Sequence, residues 1–153
     1  VKMPTLWFSW PEDKHFPMDK FANSYKAVSG SYAVSLIPKM GHGHGPPWGK
    51  PDSYAFAESI TEHGKPWCRQ ESLEREGNKV VVIFESREPL REPVLVCSTD
   101  EGITGQRKWL ERAAKGTKKG NTYTVHAKLP DGVTGWFVNV KCGELTMSSD
   151  YQQ

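Results

Sequence analysis

The sequence runs to 153 residues, enough for one ordinary domain or two small ones, and its 37% hydrophobic and 25% charged content fits a globular protein slightly on the polar side. A formal net charge of +2, with Lys and Arg scattered among Asp and Glu, gives no electrostatic footprint for nucleic acid or for an acidic membrane surface. Apolar runs such as residues 80–84 are too short to span a bilayer, and no basic, apolar and small-residue succession marks the start as a signal peptide.

Residues 1–66 alternate strand and helix patterns. Pro4 to Ser9 (PTLWFS) is a short, mostly apolar run suited to a buried strand. Pro17-Met18-Asp19 opens a segment with Phe21, Tyr25 and Val28 at helical spacing, ended by Ser29-Gly30-Ser31. Ala33 to Ile37 is a second buried-strand candidate stopped by Pro38. After a Gly- and Pro-rich loop, Pro51 suits a first helical turn, and a helix over Asp52 to Glu62 follows, with Ala57 and Ile60 among its apolar positions and Gly64 and Pro66 closing it. A strand–helix–strand unit of this length implies parallel strands with a right-handed crossover. The opening, Val1-Lys2-Met3, runs almost at once into a strand pattern and reads as a piece excised from a longer protein.

Residues 67–76 read as a linker, and residues 77–153 as β-structure. Strand candidates are Lys79 to Glu85, Pro93 to Ser98, Thr122 to Leu129 and Thr134 to Lys141. Val125, Ala127 and Leu129 alternate with Thr124, His126 and Lys128, the period of a half-buried strand. Arg107 to Ala114 fits either a helix or a strand, with the sandwich context favouring the strand, and the Lys115 to Lys119 run reads as a solvated turn. Turns near Gly102, Gly120, Gly132 and Gly143 favour an immunoglobulin- or fibronectin-like sandwich. The three cysteines, Cys68, Cys97 and Cys142, lack CxxC spacing; Cys97 and Cys142 read as small apolar residues, with a bridge between them as the alternative.

The segment Pro38 to Trp48 (PKMGHGHGPPW) carries the clearest chemistry. Gly41, Gly43 and Gly45 let the backbone turn sharply after a strand, displaying His42 and His44 between them. Imidazole is the side chain best suited to move a proton near neutral pH. Upstream, residues 10–17 (WPEDKHFP) leave the preceding strand and hold Asp13, with Glu12 beside it. A carboxylate followed by a histidine, one helix and one strand apart, is the order in which a serine α/β-hydrolase places its acid and base.

Residues 4–28 and 35–60 together resemble the last strands of bacterial serine α/β-hydrolases of the dienelactone hydrolase and acetyl xylan esterase group. There a Phe-Pro-Met or Phe-Pro-Leu helix start follows the acid loop, and a His-Gly-His-Gly-Pro loop follows the next strand. Phe16-Pro17-Met18-Asp19 and His42-Gly43-His44-Gly45-Pro46 match those features, while Trp10-Pro11-Glu12 stands where a Gly and an Asn are usual. Residues 94–114 and 136–149 are similar to the β-domains appended to such esterases. The resemblance implies a partial α/β-hydrolase segment (1–66) followed by an all-β sandwich (77–153), α+β overall. It implies Asp13 as the triad acid, His42 as the base with His44 as the alternative, and carboxylic esters as substrates, acetylated polysaccharide among them and ahead of peptides. A secreted or periplasmic parent also follows from the resemblance. No metal or organic cofactor is implied.

No Gly-x-Ser-x-Gly elbow occurs in the sequence, so the chain alone is expected to be inactive. His42, His44 and His15 could be gathered around a metal only by accident of folding, and His63 and His126 read as surface residues. Trp48, beside the histidine loop, is a candidate pocket wall; Trp7, Trp109 and Trp136 read as core. The alternative from another class is a non-catalytic binding or interaction module in which Asp13 and His42 are relics. Either way, two parallel strands would expose edges, so residues 1–65 are expected to pair with another copy or to be held against the sandwich.

Overall fold

The computed structural model describes residues 2–153. Strand β1 (Thr5–Ser9) is followed by helix α1 (Met18–Lys26), strand β2 (Tyr32–Leu36), a single turn α2 (Gly45–Trp48) and helix α3 (Asp52–His63). Eight strands complete the described chain: β3 (Cys68–Glu76), β4 (Lys79–Ser86), β5 (Arg91–Ser98), β6 (Leu110–Ala113), β7 (Lys115–Lys119), β8 (Thr122–Lys128), β9 (Gly135–Cys142) and β10 (Leu145–Ser148). A 3-10 turn, Thr104–Gln106, lies between β5 and β6.

Two sheets result. One has six strands in the order β1-β2-β10-β9-β5-β6, and the other has four in the order β3-β4-β8-β7. β1 and β2 pair in parallel, Thr5 opposite Tyr32 through Ser9 opposite Leu36. β2 then meets β10 antiparallel, at Val34 and Ser148.

This arrangement corrects the expectation of an α/β-hydrolase segment followed by a separate sandwich. With 42% strand and 18% helix in two sheets, the molecule is a small β-rich fold. The cause lies at the edge of β2, whose backbone groups and neighbouring side chains bond to β10 and β9 and so merge the early strands into the sheet of the later ones. Residues 67–76, read as a linker, contain β3 from Cys68 to Glu76; its exposed charges conceal a strand that joins β4 through the Gly77-Asn78 turn. Lys115 to Lys119, read as a turn, is the edge strand β7, fully exposed and carrying lysines of the kind that discourage edge pairing. Residues 107–114 contribute the short strand β6, the alternative that the sandwich context favours.

Alternation sends the two faces of the six-stranded sheet to different partners. Leu95, Cys97, Trp136, Val138 and Val140 face the four-stranded sheet, meeting Val80, Val82, Phe84 and Val125 in one buried cluster. Val96, Phe137, Val34 and Leu36 point the other way, onto Met18, Ala22 and Tyr25 of α1. Those helix positions lie at i, i+4 and i+7 and share Tyr25 with the face expected from sequence, beside which Phe21 also packs. On α3 the buried positions are Asp52, Phe56 and Ser59.

Tyr151 closes the α1 cluster: its N–H donates to Tyr25 Oη at 2.8 Å, and Lys26 Nζ donates to its carbonyl at 3.2 Å. All three cysteines are free, with Cys68 and Cys97 buried. No helix among the described residues is long and apolar enough to cross a membrane.

Candidate active site

Because β1 and β2 run parallel and in register, the chain leaves both of them at the same end of the sheet. Ile37 N–H donates to Ser9 carbonyl at 3.0 Å, so the two strands stay together up to the point where their loops diverge. The loop after β1 carries Asp13 and the loop after β2 carries His42.

The acid loop folds back on itself. Asp13 N–H donates to Trp10 carbonyl at 3.3 Å, making a tight turn over Pro11 and Glu12. Asp13 Oδ1 then accepts the backbone N–H groups of His15 (2.8 Å) and Phe16 (3.1 Å). Its other oxygen, Oδ2, lies 3.0 Å from His42 Nδ1. Asp13 is only 4% exposed. Burial pushes its carboxyl up, but the bonds from His42, His15 and Phe16 outweigh burial and hold it below the ordinary aspartate range.

His42 sits on a loop of unusual backbone. Gly41 and Gly43 take φ of +94° and +109°, values that side chains rarely adopt. Lys39, just ahead, also has a positive φ of 61°, and its N–H donates to Glu12 Oε2 at 3.1 Å. Glu12, the neighbouring carboxylate, thus braces the histidine loop's backbone, and Asp13 takes the imidazole. The His15 and Phe16 rings pack against His42 with centroids at 4.5 and 5.8 Å. With Nδ1 bonded to a carboxylate, the Nε2 lone pair is left for proton transfer, and about half of the His42 side chain faces solvent.

The pair borders a cleft of about 700 Å³. Its walls are mostly apolar and include Trp7, Trp10, Phe16, Phe21 and Met40. His44 also borders it but stands at the head of α2, its ring 5.6 Å from Trp48. Trp48 itself is 70% exposed and lies outside the cleft lining. Trp136 is buried, whereas Trp7 and Trp109 are half-buried against the α1 cluster. Among the described residues, no group of three or more His, Cys, Asp or Glu could hold a metal ion.

Two groups of residues at this site have no signature in the sequence. Thr104 and Gly105 pack under the acid loop, and Asn139 and Ser148 bond to the strand that leads to His42. They lie about a hundred positions from the loops they touch, and neither group belongs to a recognisable motif. No protein-family model matches the sequence, and a search of curated proteins finds no significant match.

Proposed function

We propose that Asp13 and His42 are the acid and base of a serine-type carboxylic-ester hydrolase, with the nucleophilic serine supplied by polypeptide outside these 153 residues. The observation that carries this reading is the 3.0 Å bond between Asp13 Oδ2 and His42 Nδ1, formed at the edge of an apolar cleft by a carboxylate whose other oxygen is already occupied. A buried carboxylate on Nδ1 fixes the imidazole's tautomer and orientation and stabilises the imidazolium that forms when Nε2 takes a proton.

In that reaction His42 Nε2 removes the proton of the serine hydroxyl as its oxygen attacks the ester carbonyl carbon. The bond from that carbon to the alcohol oxygen then breaks, and the imidazolium returns the proton to the departing alcohol. Water repeats the sequence on the acyl-serine and releases the carboxylic acid. Ester rather than amide chemistry, and acetyl groups on polysaccharide within it, are supported by the resemblance of Phe16-Pro17-Met18-Asp19 and His42-Gly43-His44-Gly45-Pro46 to the loops of acetyl xylan esterases and dienelactone hydrolases.

The test is hydrolysis of an aryl acetate and of acetylated xylan by the full polypeptide in which these residues occur. Turnover is expected to fall by about 10⁴-fold in Asp13→Asn and at least as far in His42→Ala. Hydrolysis indifferent to both changes, or none in the parent, would overturn the proposal and leave the pair as a relic in a binding module.

A further inference from the structure

We propose that β9 is a common spine that sets the distance between Asp13 and His42, gripping the acid loop through the 3-10 turn and the histidine strand through Asn139. The claim rests on the catalytic reading only in calling the pair functional; the grip itself can be tested without turnover.

On the acid side, the contact is made by Thr104 and Gly105, both buried. Thr104 Oγ1 accepts the N–H of Met18 at 2.7 Å. Met18 is the first residue of α1, where a helical N–H has no partner within its own helix. The acceptor comes instead from 86 positions away and fixes the point at which the acid loop enters the helix. Gly105 lies flush against the same loop, so closely that a methyl group there would overlap the Asp13 carbonyl. The turn is in its own right tied to Thr134, the residue that leads directly into β9. Arg107 donates through Nε and Nη2 to Gly102 carbonyl (3.0 and 2.7 Å) and through Nη1 to Thr134 carbonyl (3.1 Å), while Trp109 Nε1 donates to Thr104 carbonyl at 3.0 Å.

On the histidine side, the contact is a buried side-chain relay. Asn139, in the middle of β9, donates through Nδ2 to Leu36 carbonyl at 2.9 Å. Ser148 Oγ donates to Asn139 Oδ1 at 2.6 Å and accepts Leu36 N–H at 2.8 Å. Both backbone groups of Leu36 are therefore satisfied by side chains of β9 and β10. Leu36 ends β2, the strand from which the histidine loop departs. A carboxylate-to-imidazole bond tolerates only a few tenths of an ångström before it weakens. Two grips on one strand convert that tolerance into a property of a single rigid element.

Thr104, Gly105 and Asn139 are thus positioning residues, acting on the pair through Met18, the Asp13 backbone and Leu36. The experiment reads the His42 tautomer by ¹⁵N NMR on the histidine-labelled full polypeptide, the resonance being identified by its loss in His42→Ala. Asp13→Asn gives the reference in which the Nδ1–H form is lost. Thr104→Val keeps the side-chain volume but removes the acceptor, and Asn139→Leu removes the relay. Both are expected to lose the Nδ1–H signature in whole or large part while circular dichroism still reports a folded chain. Thr104→Ser is expected to restore it. Val82→Ala, which hollows the core in the facing sheet, is the control for general loosening and is expected to retain the wild-type signature despite a lower melting temperature. Wild-type signatures in folded Thr104→Val and Asn139→Leu would overturn the spine, as would equal loss in Val82→Ala. A positive result beside ester turnover that ignores His42 would leave the spine standing and remove the catalytic reading.

Discussion

The two loops that meet in the Asp13–His42 bond are built on opposite plans. The acid loop exposes Lys14, His15 and Phe16 but buries Asp13, whose carboxylate accepts two amides of its own chain, and a distant turn is wedged beneath it. The histidine loop is largely exposed, runs through positive-φ positions at Lys39, Gly41 and Gly43, and is tethered by Glu12 and by the imidazole bond. The carboxylate is fixed by amides of its own turn with Gly105 packed beneath it, whereas the imidazole is reached only through tethers from Glu12 and Asp13. The lesson is that a buried carboxylate can orient an imidazole carried on an exposed loop, provided the strand beneath that loop is fixed.

The largest effect that could break this contrast is on chemistry. In aryl acetate assays of the full polypeptide, Asp13→Asn should cost about 10⁴-fold in kcat, whereas Glu12→Gln should cost far less, because Glu12 touches only the loop backbone. Equal losses would mean that the two carboxylates share the imidazole.

Stability should separate the loops next. Asp13→Ala strands the N–H groups of His15 and Phe16 and is expected to cost about 1–3 kcal/mol in urea unfolding, while His42→Ala removes a half-exposed ring and strands only Asp13 Oδ2, so it should cost about 1 kcal/mol. Similar costs would erase the distinction. The pH dependence of this term has a definite sign. A carboxyl held below its ordinary value stabilises the fold fully above an unfolded pKa of about 4 and loses that contribution as pH falls through the folded value. Asp150, half-buried beside Tyr32, is pushed the other way by its desolvation, so the Asp13 term should be read as the difference between wild type and Asp13→Asn across pH 5 to 2.

Backbone strain comes third. Gly43→Ala meets no neighbouring atom but must adopt φ near +109°, so about 1 kcal/mol is expected, with loss of turnover exceeding loss of stability. The smallest effect is reserved for His44→Ala, expected to leave melting and turnover nearly unchanged since its ring meets Trp48 rather than Asp13. A loss in His44→Ala matching that of His42→Ala would exchange the two histidines' roles.

What the sequence shows and hides follows from which forces act locally. β1, α1, β2, α3, β4, β5, β8 and β9 were legible because each carries an apolar period or run bounded by Pro or Gly. β3 and β7 were not, since Arg69, Glu71, Glu74 and Glu76 in one and Lys115, Lys118 and Lys119 in the other present charged faces to water, and only hairpin partners make them strands. β10 is four residues long and defined by its neighbours. Asp13 and His42 could be singled out because Gly-flanked histidine and a turn-borne carboxylate are local features. Gly105 looks like any loop glycine until the Asp13 carbonyl is seen against it.

The Tyr25–Tyr151 contact has a consequence for biosynthesis. The two residues are 126 positions apart, so during translation α1 emerges with its apolar face uncovered and waits for most of the remaining chain before Tyr151 can seal it. Contacts of such long sequence separation form slowly and late. A ribosome-bound nascent chain stalled before Tyr151 should therefore be unusually dependent on chaperones, and silent codon changes that slow elongation across residues 30–150 should lower the yield of native protein more than the same changes made earlier.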